Sequence, residues 1–275
     1  MKKKFLIKID DFDNTSGGIA AMHKLCSDIN FLGRTAYITS RNTNNKLNAP
    51  FIGSREINVD EWVVIYPEIV VGNPYNFQHV VRWVLNTPGV CGGGNAQAFY
   101  DHVKPTDVIF KYSEFFDYKT KQVDGQLRCT FIDYEIFYNK NITRDIEACY
   151  FIKKGGCKQT VHPANAINFA AYQHNWEMAA DFLNRTKYMY CYDNECFWVT
   201  LAALCGCIPV VIPNNGLDSA TWKQHFPFNK CGVAFGVDEI EQAQSELSLV
   251  EEHCMSVQIN DLNKVKQFIA KCDQL

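Results

Sequence analysis

YMYCYDNECFWVTLAALCGCIPVVIPNNG, running from Tyr188 to Gly216, is the stretch that sets the fold class. Lys187 to Tyr192 is a short aromatic run, suited to a strand buried inside a parallel sheet. Asp193, Asn194 and Glu195 follow, a cluster able to cap a helix. Phe197 to Cys205 is apolar all round, which predicts a helix packed on both sides. Gly206 ends that helix, and Pro209 to Ile212 returns to the sheet. The acidic cluster therefore falls at the carboxyl end of a strand and the amino end of a helix. Open α/β sheets bind their ligands at such points.

The pattern extends in both directions. Strands are expected at Lys4–Ile9, Ala36–Thr39, Trp62–Tyr66, Val108–Tyr112 and 127–132, and helices at Ile19–Leu32 and Phe77–Leu85. Strand and helix alternate, which argues for a parallel sheet covered on both faces. A second run begins near Asn141, with a strand at Ala148–Ile152, the polar segment Lys153-Lys154-Gly155-Gly156 and a long helix at Ala164–Leu183. The quoted stretch, a strand near Val233–Phe235 and a terminal helix at Leu262–Lys271 complete it. The expectation is α/β, with two Rossmann-like domains, 1–140 and 141–275, facing a central cleft, and a C-terminal helix.

Composition narrows the function. The chain has 275 residues, 47% apolar and 21% charged, enough for a substantial core. A net charge of -3 argues against a general nucleic-acid binder. Twelve cysteines form no CxxC pair, and several lie in apolar runs, where a free thiol acts as a small hydrophobe. Reduced thiols in a cytoplasmic setting are expected. No run approaches the ~18 continuous apolar residues of a membrane span, which leaves only peripheral membrane association open. The oligomeric state is also left open.

The stretch 193–211 resembles the donor-binding segment of GT-B glycosyltransferases, whose usual form is an acidic residue, seven residues, a Glu, then Ala-x-x-Cys-Gly-x-Pro-Val-Val. Asp193 takes the first acidic position, and Leu201 stands where the second Glu is usual. That Glu commonly holds the ribose of a nucleotide sugar, so the role passes here to Asp193 or Glu195. Cys207-Ile208 also gives one residue more than the usual form. A second likeness lies at Pro67-Glu68-Ile69-Val70-Val71-Gly72-Asn73-Pro74, followed by Val81-Arg82-Trp83 and Asn86-Thr87-Pro88-Gly89. It resembles a segment of bacterial and viral polysaccharide glycosyltransferases in which Val-Arg-Trp lies on a helix.

The resemblance implies a nucleotide-sugar donor, UDP- or GDP-linked, on the second domain and a glycan acceptor on the first. No cofactor or metal is implied. Transfer needs stabilisation of the leaving diphosphate, for which Lys153 and Lys154 are the candidates. Gly17 and Gly18 end the loop before the first helix and allow close approach of a ligand to backbone, and the helix that follows offers free N–H groups. Tyr192, Asp193, Asn194 and Glu195 complete the expected donor site. An inverting reaction also needs a base, for which Glu68, Asp13 and Asp11 qualify by position. Asn73 and Arg82 are expected on the acceptor side.

Two other readings use the same residues. Asp11-Phe12-Asp13 has the spacing of the metal-binding Asp-x-Asp of GT-A enzymes, although it comes early in the chain. Leu201 in place of Glu also fits a non-catalytic nucleotide- or sugar-binding protein on a degenerate GT-B scaffold.

Overall fold

The computed structural model describes residues 2–53, 57–91, 95–119, 122–153, 158–214 and 216–275. The chain forms two compact units, one of residues 1–131 with 258–275, the other of residues 132–257. The division lies nine residues before the expected 140/141, and the end of the terminal helix belongs with the first unit.

In the first unit, β1 (Lys4–Ile7), α1 (Gly17–Phe31), β2 (Ala36–Ile38), β3 (Trp62–Pro67), β4 (His79–Val84), α2 (Ala96–Asp101), β5 (Val108–Lys111) and β6 (Gly125–Gln126) follow one another. The strands form one parallel sheet in the order β2-β1-β3-β4-β5-β6. Every residue of β3, WVVIYP, is buried, as both faces of a covered parallel strand require. Ser16 caps α1, its hydroxyl accepting from Ile19 N–H.

The second unit holds β7 (Ile146–Phe151), β8 (Ile167–Asn168), α3 (Trp176–Arg185), β9 (Thr186–Cys191), α4 (Trp198–Leu204), β10 (Ile208–Val211), α5 (Ser219–His225), β11 (Ala234–Phe235) and α6 (Ile240–Glu246). Its strands are also all parallel, in the order β11-β10-β9-β7-β8. All seven residues of α4 are buried, as its unbroken apolar composition predicts. Gly206 turns the chain after α4 at φ 76°, and a Cβ there would lie 2.4 Å from Arg144 Nη2. Only glycine fits both the left-handed backbone and that neighbour.

The final helix, α7 (Val250–Cys272), starts well before the expected Leu262. Its later turns pack Val265, Phe268, Ile269 and Cys272 into the core of the first sheet. Arg128 forks onto Asp261 of this helix with three bonds of 2.8–3.0 Å, both side chains buried. These contacts explain why residues 258–275 belong with the first unit.

Three further elements differ from expectation. The segment holding Val81-Arg82-Trp83 is strand β4, not a helix. A run of six residues rich in Val and Trp fits either period, and pairing with β3 and β5 decides it. The long helix expected at Ala164–Leu183 is only α3, because Asn175 caps a helix start by accepting from Met178 N–H at 2.9 Å. The strand expected at 127–132 pairs instead at Gly125–Gln126, where a Cβ on Gly125 would meet Phe110 Cε1 at 2.8 Å.

Candidate functional site

The two sheets share one topological feature. In the second unit β7, the first strand in sequence, has β8 on one side and β9 on the other. The direction of strand addition therefore reverses at the β7/β9 pair, and such a switch point opens a crevice at the strands' carboxyl ends. Tyr192 N–H donates to Phe151 O at 2.8 Å, so the chain leaves β9 directly beside the end of β7. Asp193 and Asn194 come next.

Asp193 is only 4% exposed. Its Oδ1 accepts from Glu195 N–H at 3.0 Å, and its carbonyl accepts from Cys196 N–H at 3.3 Å. It thus closes a tight turn, whereas α4 itself has Phe197 at its N-cap position and no side-chain cap. The helix cap expected from the acidic cluster is a turn cap instead. Glu195 lies in the same turn, half-buried.

Asn194 is buried and used on every side. Its Nδ2 donates to Ile212 O at 2.9 Å, and its own carbonyl accepts from Trp222 Nε1 at 2.8 Å. Its Oδ1 accepts from Lys158 Nζ at 3.1 Å. Lys158, half-buried on the connection after β7, also donates to Ile212 O. Burial lowers its pKa, while the nearby Asp193 carboxylate opposes that shift. Among the described residues, two of the three ammonium donors are used. Sequence reasoning passed over Lys158 for the lysines just upstream. Its place at the tips of β9 and β10 rests on bonds to residues more than thirty positions away, which no local pattern displays. Lys153 is exposed, with a left-handed φ of 42°. Lys154 lies outside the described residues.

Tyr192 is buried, and its hydroxyl accepts from Val161 N–H at 2.9 Å. The same hydroxyl lies 2.7 Å from His162 Nδ1, and the His162 ring stacks on Tyr150 with centroids 4.1 Å apart. Tyr192 is thereby a strut for the segment after β7. Leu201, at the usual Glu position, is 5% exposed within α4, so no carboxylate reaches the crevice from there.

The first unit has its own switch point, at β1 and β3. The loop after β1 carries Asp10 to Ser16, and Glu68 directly follows β3. Asp13 is half-exposed, and its Oδ1 accepts from both Thr15 N–H and Thr15 Oγ1–H at 2.8 Å. Neither bond uses Oδ2. Glu68 is buried and accepts from Leu85 N–H at 2.9 Å through Oε2. Burial raises its pKa, against the backbone N–H groups that favour the carboxylate. Gly17 and Gly18 are the first residues of α1, with no atom within 4 Å of a Cβ built at Gly17. Their N–H groups belong to the first turn, which has no intrahelical acceptors.

Two expected acceptor residues have internal roles. Arg82 is 1% exposed and donates from Nε to the buried Asp107 carboxylate at 2.9 Å and from Nη1 to Val70 O at 3.3 Å. Its guanidinium lies 5.2 Å from the Tyr66 ring centroid. A cation so enclosed stabilises the sheet and does not reach an acceptor. Asn73 Oδ1 accepts from Tyr66 Oη and Phe77 N–H, and its Nδ2 donates to Phe77 O, closing the turn before β4. Asp11 and Asp13 face different partners, since Asp11 is held by Ser40 and Asn42. Among the described residues no three His, Cys, Asp or Glu side chains gather as metal ligands. No helix among them is long and apolar enough to cross a membrane.

Two parallel, doubly wound α/β units in succession, followed by a C-terminal helix, make a GT-B-like fold. No family model and no curated protein matches the chain. Among solved structures, a glycosyltransferase from Rickettsia africae ESF-5 is similar at 9% identity and a TM-score of 0.49, with 99% of each chain covered. The glycosyltransferase SnogD from Streptomyces nogalater is similar at 12% identity and a TM-score of 0.45, over 98% of this chain and 99% of that one. The spinosyn rhamnosyltransferase SpnG, complexed with thymidine diphosphate, is similar at 12% identity and a TM-score of 0.40, over 98% and 96%.

Proposed function

We propose that the chain is a glycosyltransferase that moves a sugar from a UDP- or GDP-linked donor to a glycan or polysaccharide acceptor. The observation that carries this reading is Lys158, an ammonium anchored on Asn194 and Ile212 O beside Asp193, at the strand tips of the second unit. A cation fixed there suits the diphosphate, on which negative charge grows as the anomeric C–O bond breaks. Lys153 is proposed to add charge from the same connection, and Lys154 keeps its candidacy from sequence. Asp193 or Glu195 is proposed to take the ribose hydroxyls, in place of the Glu that Leu201 replaces.

The acceptor oxygen forms the new bond to the anomeric carbon and must lose its proton. Asp13 and Glu68 are the carboxylates proposed for that proton, Asp13 with an oxygen not used by its own turn and Glu68 with a raised pKa. Activity without a divalent metal is part of the proposal, and turnover retained in a chelator tests it. Buried Leu201 favours a second reading, a binder that holds the nucleotide sugar without turnover.

The test is a melting-temperature series with UDP, GDP, thymidine diphosphate and their common sugar conjugates. Selective binding raises apparent stability by mass action. Absence of any shift up to millimolar ligand defeats the donor assignment. Selective shifts with no transfer or donor hydrolysis select the binder.

A further inference from the structure

The first unit has an open groove of about 620 Å³ at the carboxyl ends of β1 and β2, with Tyr75 of the β3–β4 connection also on its wall. That volume is within the ~300–1,000 Å³ of ligand-sized pockets. Its walls include Lys8, Asp10, Asp11, Arg41, Phe51 and Tyr75. We propose that this groove binds an uncharged oligosaccharide, with the Phe51 and Tyr75 rings as its apolar wall and Asp11 as a fixed acceptor of sugar hydroxyls.

Three observations support this. First, Phe51 is a large apolar side chain left 40% exposed beside polar groups. The Arg41 guanidinium lies 4.8 Å from its ring centroid and covers part of it. Aromatic rings among a few well-placed polar groups suit the C–H faces and hydroxyls of sugar rings.

Second, Asp11 is held in place before any ligand arrives. Ser40 Oγ–H donates to Oδ1 and Asn42 Nδ2 to Oδ2, both at 2.6 Å. These bonds keep its pKa below the usual carboxylate value. A carboxylate has about four lone-pair sites, so each oxygen can still accept from a hydroxyl.

Third, the groove's charges balance. Lys8 and Arg41 stand against Asp10 and Asp11, and Lys8 Nζ lies 3.4 Å from Asp10 Oδ1. A strongly anionic ligand meets two carboxylates, and a cationic one meets two basic groups. A neutral polyhydroxylated chain meets no such opposition and finds both donors and acceptors. The inference deepens the transferase reading by naming the acceptor class, and it rests on that reading for the word acceptor alone.

The full chain is applied to an array of uncharged and anionic oligosaccharides, and its melting shift with UDP and GDP is recorded in parallel. Uncharged glycans are expected to bind, at least tenfold more weakly to Phe51→Ala and to Asp11→Asn. The UDP or GDP shift of Phe51→Ala is expected to match the parent's. Preference for anionic glycans, no binding to uncharged ones, or equal binding by Phe51→Ala overturns the proposal. Loss of the nucleotide shift with glycan binding intact defeats the transferase reading and leaves the groove standing.

Discussion

Lys158 Nζ donates to Asn194 Oδ1 at 3.1 Å, linking the connection after β7 to the loop after β9. The bond joins residues 36 positions apart at the tip of the second sheet. Asn194 is in turn fixed to Ile212 O and to Trp222, so the loop is set before a ligand binds. A preset loop reduces the ordering cost that binding must otherwise meet. Lys158→Met should lower UDP or GDP affinity at least tenfold, and Lys158→Arg should lower it less. Calorimetric titration reads this directly. An unchanged affinity in Lys158→Met removes the residue from the donor site.

Arg82 tests the distinction between a buried strut and a binding residue. Removing one partner of a buried ion pair leaves the other charge uncompensated, at a cost of about 3–5 kcal/mol. Asp107→Ala should therefore sharply lower the denaturation midpoint. Arg82→Met with Asp107→Leu should recover much of the loss. A small effect of Asp107→Ala on the midpoint would show that the pair is not the strut described.

The two candidate bases separate by conservative substitution. Asp13→Asn keeps an oxygen for both Thr15 donors, so the turn should hold and transfer should fall at least tenfold. Glu68→Gln tests the second carboxylate by the same rate measurement, with a tenfold loss expected if the proton goes there. Glu68→Ala removes the acceptor of Leu85 N–H and should cost about 1–3 kcal/mol of stability, seen by denaturant titration. Near-parent turnover in both Asp13→Asn and Glu68→Gln would remove both carboxylates from the chemistry.

His23 makes a pH prediction. It is fully buried, lying 2.9 Å from Thr43 Oγ1 through Nδ1 and 3.0 Å from Asp10 O through Nε2. Desolvation lowers its pKa from the ordinary 6.5, against the pull of Asp10 O and Asp11. The unfolded chain therefore takes up the proton first as pH falls. The stability it contributes is present above 6.5 and is lost as pH falls through the lower folded value. His23→Gln should flatten the melting profile in that acid range. A profile as steep as the parent's would place the acid sensitivity elsewhere.

Gly206→Ala should be strongly destabilising. Its Cβ would meet Arg144 Nη2 at 2.4 Å in a left-handed backbone. Arg144 is the donor to Leu183 O, Thr186 O and Cys205 O, so displacing it frees three carbonyls at once. Circular dichroism melts should show a loss of several degrees. Melting at the parent temperature would mean that Arg144 can yield.

The amino-acid order alone determined the elements whose cues are local. The aromatic run of β9, the all-apolar α4, the glycine at 206 and the returning β10 each follow from a few adjacent residues, and the structure has them within a residue or so. The likeness that suggested a sugar nucleotide also lies in that stretch. Tertiary structure decided what depends on pairing at long range. Val81-Arg82-Trp83 is a strand because β3 and β5 flank it, and Arg82 is internal because Asp107 meets it there. Lys158 meets Asn194 across 36 positions of sequence, and α7 ends in the first unit because Arg128 and Asp261 find each other. Periodicity and capping act within a turn or two of backbone, so sequence displays them. Hydrogen bonds and ion pairs between distant segments depend on how the chain returns on itself, which neighbouring residues do not encode.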